Sequence, residues 1–317
     1  MTFDDALAAF LHAVRVDVDA ALEQHLPKPP ACPAIVADAM RYSVFAGGKR
    51  LRPVIALAAA DAVTRRSAEG QRPTAPVRLA VPAACALEMI HTYSLIHDDL
   101  PAMDNDTLRR GRPTLHTLYG DGIAILAGDG LQAAAFTLLA REPAAADPAI
   151  QSRKLCVAAL IGDAAGPIGM VGGQAIDLQA AGRSPAGAAT LDADALRDMH
   201  ARKTGALIRA AAAGGAIMAG GDEATVTAID RYAAAVGLAF QIVDDILDVE
   251  GDPAALGKNT GKDAAGAKPT YPALFGLDRS RALAAECLES ARRTLTDAGL
   301  ADGWLGAVAE WVVNRKS

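Results

Sequence analysis

Two aspartate clusters, Asp98-Asp99-Leu100-Pro101-Ala102-Met103-Asp104 and Asp244-Asp245-Ile246-Leu247-Asp248, lie about half a chain apart, each inside an apolar stretch. Carboxylates this dense repel one another, by about 4 kcal/mol per pair at about 4 Å in an effective dielectric near 20. A chain that gathers them in apolar surroundings must supply cations. Oxygen ligands of this kind favour Mg²⁺ over a softer metal, and such Mg²⁺ usually carries substrate phosphate. The clusters therefore read as two walls of a site that clamps a diphosphate through bridging Mg²⁺.

Helix geometry separates the two walls. Asp244 and Asp248, four residues apart, share a helix face, and Gln241 lies three residues before Asp244 on that face. Asp98 and Asp104, six apart, would diverge on a straight helix. Pro101 cannot continue the hydrogen-bond ladder, so the segment after Asp99 must bend or uncoil. Either cluster alone could be a solvated acidic helix end. Together with the basic motifs Gly47-Gly48-Lys49-Arg50-Leu51-Arg52-Pro53 and Arg109-Arg110-Gly111 that reading loses ground. A Gly pair before Lys-x-x-Arg turns backbone amides and cations toward one anion, and Arg offers phosphate a bidentate contact. His91, seven residues before Asp98, falls on the same helix face as that carboxylate. Further along stand Lys203-Thr204-Gly205 and the lysines Lys258 and Lys268.

These residues need rigid elements. The chain has 317 residues, 51% hydrophobic and only 4% aromatic, with alanine abundant. Small apolar residues suit closely packed helices, and period-two strand patterns are scarce. Leu7, Leu11, Val14, Val18 and Leu22 recur at helical spacing, and Pro27, Pro29, Pro30 and Pro33 end that first helix. An apolar helix is expected from about 77 to 99, with loops at 65–76, 142–148, 182–190 and 251–270. No linker divides residues 1–317, so one helical domain is expected.

Composition also limits the partners. A formal net charge of -6 without a basic stripe speaks against nucleic acid. Asp4, Asp5, Arg15, Asp17 and Asp19 break up any secretory leader, and no uncharged apolar run is expected to reach membrane length. Four scattered cysteines (Cys32, Cys85, Cys156, Cys287) suggest neither zinc nor disulfides, which fits a reducing cytoplasm.

The ordered motifs resemble those of the short-chain trans-polyprenyl diphosphate synthases, and among them the bacterial farnesyl type. The resemblance runs from Gly47 past Tyr271. It takes in Gly172-Gly173-Gln174 before Asp177, Phe240-Gln241 through Asp248, and Lys268-Pro269-Thr270-Tyr271-Pro272. It implies an all-α bundle around a deep central cavity, usually a homodimer, that joins isopentenyl diphosphate head to tail to an allylic diphosphate. It further implies three Mg²⁺, two held by Asp98 and Asp104 with Asp99 in support, the third by Asp244 with Asp245 and Asp248 nearby. Arg109, Lys203 and Lys258 would hold the allylic diphosphate. Lys49, Arg52, His91 and Arg110 would hold isopentenyl diphosphate, with Lys268 a further substrate-binding group. Thr204, Gln241 and the Lys203 carbonyl would set dipoles near the allylic cation, and the Arg315-Lys316 tail would help close the site.

Tyr93 and Ser94, fifth and fourth before Asp98, occupy the positions that the resemblance ties to product length. An aromatic residue there implies mainly the C15 product, although Tyr93 also reads as an ordinary core tyrosine. Geranyl or geranylgeranyl synthesis, a class I terpene cyclase and an inactive regulatory subunit are the alternatives. The intact Asp244-Asp245-x-x-Asp248 and the Lys49/Arg52 pair favour the transferase. Thr117 and Asn105 depart from residues common in relatives, with little expected effect.

Overall fold

The structure is a computed structural model and describes residues 3–67, 75–184, 187, 189–250 and 270–315. Lys258 and Lys268, the 251–270 loop up to residue 269, and Lys316 lie outside the described residues. Helices α1 (Phe3–His25), α2 (Ala34–Val44), α3 (Leu51–Ser67), α4 (Ala75–Leu79) and α5 (Val81–Asp98) come first. A two-stranded hairpin, β1 (Leu108–Arg109) and β2 (Arg112–Pro113), leads into α6 (Leu115–Tyr119), α7 (Asp121–Arg141), α8 (Pro148–Ala165) and α9 (Met170–Ala180). Then follow α10 (Ala193–His200), a π-helical turn (Ala201–Gly205), α11 (Ala206–Ala219) and α12 (Glu223–Glu250). The last three are α13 (Tyr271–Phe275), α14 (Leu277–Asp297) and α15 (Trp304–Asn314). The all-α expectation holds, and the hairpin is the one pair of strands among the described residues. The expected 77–99 helix is broken at Ala80, so α5 starts at Val81 with Pro82 in its first turn, where a missing N–H costs nothing.

Alanine and glycine decide how tightly the helices approach. On α11, Ala210 to Ala213, Gly214, Gly215 and Ala216 are all buried, and this helix packs along α3 on one side and α12 on the other. The main core gathers residues such as Ile55, Leu87, Ile90, Leu131, Leu207 and Tyr232. A smaller core around Leu196, Met199, Ile242, Val243 and Ile246 holds α10, α12 and α14 together. The first half of α12 belongs to the main core and its second half, which carries the later aspartates, to the smaller one.

Glu88, Asp129 and Asp163 interrupt the longest apolar helices, so no uncharged run reaches membrane length, but single charges do not disqualify a span. Three helical stretches, Val77–Asp98, Asp121–Arg141 and Pro148–Ala180, are apolar enough to cross a membrane by length and composition alone. The first is largely buried inside the bundle, because a core helix in an alanine-rich protein needs few charges. The other two leave most of their apolar windows at the surface.

Tyr232 pins the last helix: fully buried on α12, its hydroxyl donates to the Leu305 carbonyl of α15 at 2.7 Å. Tyr232→Phe is expected to lower unfolding stability by about 1 kcal/mol, the net worth of one buried hydrogen bond, as read from a urea denaturation midpoint.

Candidate active site

The first aspartate wall is built where α5 stops. Asp98 is its last residue, and the chain then folds back so that the Asp104 amide donates to the Asp98 carbonyl at 2.8 Å. The amide of Met103 closes onto Leu100 and that of Asp106 onto Asp99. This recoil returns Asp104 to Asp98, as the Pro101 break requires, with Asn105 at φ 53 completing it. Burial pushes the Asp98 carboxyl up to about 6, with Asp104 and Asp99 adding to the shift and Lys203 and Arg109 opposing it.

Asp99 is turned from Asp98 to the hairpin. Arg109 Nε donates to both its oxygens, at 2.8 and 2.9 Å, and Nη2 donates to Oδ1 at 2.6 Å. The hairpin pairs Arg109 with Arg112 across a two-residue turn, Arg110 at φ 54 and Gly111 at φ 71. Positive φ at both turn residues matches the twist of the strands and sends the two arginines apart. Arg110 reaches the Gly47 carbonyl, and a Cβ at Gly48 would lie 2.5 Å from its Nη1, so only glycine admits the guanidinium there.

A third wall comes from the π-turn. Lys203 Nζ donates to Asp177 Oδ2 of α9 at 2.5 Å. Burial acts to lower the pKa of Lys203, but Asp177, Asp98 and Asp104 together hold it above its ordinary value. A single π-turn inside an otherwise helical segment is a common mark of a functional site. It sits so close to α9 that a Cβ on Gly173 would overlap the Lys203 backbone nitrogen. Thr204 belongs to the same turn. The motif Gly172-Gly173-Gln174 before Asp177 exists for this approach, yet Asp177 as the partner of Lys203 was not legible from its spacing.

The second aspartate motif rides on α12. Asp244 accepts from Arg315 Nη2 at 2.6 Å. The Arg315 guanidinium also donates to the Phe240 carbonyl at 2.8 Å and stacks on the Phe240 ring, 3.8 Å from its centroid. Asp245 is buried and accepts the Tyr271 amide at 2.9 Å, which anchors α13. Gln241, Asp244 and Asp248 remain on the neighbouring face. Arg183, from the turn after α9, donates to the Met103 carbonyl and approaches Asp104 Oδ1 at 3.5 Å. Arg183 is a further site residue that no sequence motif marked.

The cationic corner holds Arg52, His91 and Arg110. Burial, helped by Arg110 and opposed by Glu88 and Asp244, lowers Arg52 to about 10. Burial first, and then Arg52, Arg110, Arg109 and Arg50, hold His91 well below its ordinary value, so its ring is neutral near pH 7. Lys49 is exposed beside the same loop. On α5, Tyr93 is 6% exposed and meets His97 edge-on at 5.6 Å, and Ser94 donates to the His91 carbonyl. A cavity lies on the Thr92, Leu95 and Ile96 face of α5, roofed by the hairpin, and Tyr93 does not line it.

Among the described residues no three His, Cys, Asp or Glu side chains converge into a ready metal cage. Each of Asp99, Asp104, Asp177 and Asp244 instead accepts from an arginine or lysine. The donors are carboxylate oxygens, and the chain returns Asp104 to Asp98 at the end of α5. That set fits Mg²⁺ arriving together with diphosphate, the hard cation's usual mode of binding.

Residues 33–299 match the family model for polyprenyl synthetase. This chain belongs to the polyprenyl synthetase family. It is 41% identical to farnesyl diphosphate synthase of Geobacillus stearothermophilus, over 96% of this chain and 97% of the relative. It is 40% identical to geranylgeranyl diphosphate synthase of Cyanophora paradoxa, over 98% and 97%. A geranyltransferase of Helicobacter pylori, solved in complex with magnesium and isoprenyl diphosphate, superposes with a TM-score of 0.79 at 28% identity, covering 96% of each chain. The fold is therefore the isoprenoid synthase helical bundle, and the activity is prenyl transfer, the head-to-tail condensation of isopentenyl diphosphate with an allylic diphosphate.

In this polyprenyl synthetase, Gly173→Ala must push the π-turn off α9. Turnover is expected to fall on the order of 100-fold, the cost of an ångström-scale misplacement of Lys203. Steady-state kcat, with circular dichroism as the folding control, checks it.

Proposed function

We propose that the chain makes mainly farnesyl diphosphate from dimethylallyl or geranyl diphosphate and isopentenyl diphosphate. The observation that carries the product length is Tyr93, buried against His97 one and a half turns before Asp98. Bulk at that place stops a growing chain that runs beside α5. The geranylgeranyl relative, at nearly equal identity, keeps C20 as the second reading.

Asp98, Asp104, Asp244 and Asp248 are the carboxylates we assign to metal, three Mg²⁺ in all. Asp99 and Asp245 support them by fixing Arg109 and α13. Bound Mg²⁺ supplies positive charge to the departing diphosphate and so promotes ionisation of the allylic C–O bond. Arg109 and Lys203, with Lys258, hold that diphosphate from the protein side. Lys49, Arg52, His91, Arg110 and Lys268 hold isopentenyl diphosphate. Thr204, Gln241 and the Lys203 carbonyl face the allylic cation with dipoles already in place, which is most effective in a water-poor site. The apolar walls offer no nucleophile except the second substrate's double bond. Arg183 and Arg315 pair with Asp104 and Asp244, two of the carboxylates that would hold Mg²⁺.

Incubation with Mg²⁺, dimethylallyl diphosphate and isopentenyl diphosphate, followed by chromatography of the dephosphorylated products, tests this reading. The C15 alcohol should dominate, Tyr93→Ala should shift it toward C20, and excess chelator or Asp98→Ala should abolish turnover. C20 from the unaltered chain, or no lengthening in the variant, removes Tyr93 as the stop; activity in chelator removes the metal assignment.

We also propose a homodimer in the cytoplasm. Ile125 and Leu126 of α7 and Leu155 of α8 present an exposed apolar surface, and a second copy of the chain would cover it. Light scattering should give a dimer that Leu126→Asp dissociates. A monomer, or partition of the protein onto lipid vesicles, would overturn that assignment.

A further inference from the structure

Arg50 has no part in the roles assigned so far, yet its guanidinium is 3% exposed and is tied to three elements at once. Nε donates to Asp19 Oδ1 of α1 at 2.9 Å, Nη1 to Glu88 Oε1 of α5 at 2.8 Å, and Nη2 to the Val44 carbonyl at the end of α2 at 2.7 Å. Its backbone is held at φ 52, which a non-glycine residue keeps only when its surroundings enforce it. Arg50 stands directly after Lys49 and two residues before Arg52, which lies in the first turn of α3. Glu88 is buried and lies three residues before His91, on one face of α5.

We infer that Arg50, clamped by Glu88 and Asp19, is a positioning residue for the isopentenyl diphosphate site, fixing Lys49 and Arg52 in register with His91. This rests on the reading of Lys49, Arg52 and His91 as that site. Arg50, Arg52 and Arg110 all act on His91, and their like charges would drive the Gly47–Arg52 loop away from α5. Glu88 is the buried carboxylate in their midst, and the Arg50–Glu88 pair converts that repulsion into a tether. A buried pair of this kind adds little net stability, so its retention suits a role in register. A lysine cannot replace Arg50. One ammonium on a flexible stem does not reach three acceptors spread around a planar fork.

Steady-state kinetics with each substrate varied, on Arg50→Lys, Asp19→Asn and Arg52→Ala, tests the inference. Arg50→Lys should raise KM for isopentenyl diphosphate on the order of 100-fold, the cost of ångström-scale misplacement, while kcat and the allylic KM change little. Asp19→Asn should shift the same KM in the same direction by less, because Asp19 is one-third exposed and tolerates the change. Equal rises in both KM values, or a fall in kcat with the isopentenyl KM unchanged, would make Arg50 a structural residue only. If Arg50→Lys does not fold by circular dichroism, Asp19→Asn decides alone, and an unchanged isopentenyl KM there overturns the inference. If Arg52→Ala also leaves that KM untouched, the assignment of the site itself fails.

Discussion

Charge balance within the bundle is the constraint on which the site depends. Carboxylates and guanidiniums are packed where solvent is scarce, and each must find its counter-charge on another element. Asp99 takes Arg109 from the hairpin, Asp177 takes Lys203 from the π-turn, Asp244 takes Arg315 from the chain end, and Glu88 takes Arg50 from the loop before α3. Arg50–Glu88 is buried on both sides, and removing one partner of such a pair leaves a charge without solvent, a cost of about 3–5 kcal/mol; the part-exposed pairs cost less. The pairs therefore tie together helices distant in sequence, and they set the geometry that the diphosphates meet.

That balance also shapes the chemistry. Internal cations neutralise the carboxylates before substrate arrives, so the acidic walls do not fly apart, and no metal cage needs to be preformed. A diphosphate carrying Mg²⁺ would meet both signs of charge here, carboxylates in Asp98, Asp104 and Asp244 and cations in Arg109 and Lys203. At Asp98 burial pushes the carboxyl up to about 6, against the opposing pull of Lys203 and Arg109. The leaving diphosphate then departs into charges that are fixed in advance, which lowers the reorganisation needed at ionisation.

Backbone irregularity supplies the aim. Among the described residues, the three non-glycine positions with positive φ are Arg50, Asn105 and Arg110, and all three border the site. Together with the π-turn at Lys203 they interrupt regular helix and hairpin where a side chain has to be directed. Strain of this kind is kept where surrounding contacts enforce it. At Arg50 the enforcing contacts are its ion pairs with Asp19 and Glu88, whereas Asn105 and Arg110 are held by bonds to the Leu100 and Gly47 carbonyls.

Local sequence determined the helical class, the break after Asp99, the shared face of Gln241, Asp244 and Asp248, and the identity of the acidic and basic motifs. These follow from spacing of 3.6 residues per turn and from what proline and glycine forbid or allow, which neighbours along the chain decide. The tertiary structure decided which charge meets which. Asp177 with Lys203, Arg183 with Asp104, Arg315 with Asp244 and Arg50 with Glu88 are separated by 26 to 79 residues, so no periodicity could pair them. It also decided that Asp99 serves Arg109 and Asp245 serves the Tyr271 amide, although both stand beside carboxylates of identical type. A residue's chemistry is written at its position, but its partner depends on which helices pack together, and that is settled by alanine-lined contacts spread along the whole chain.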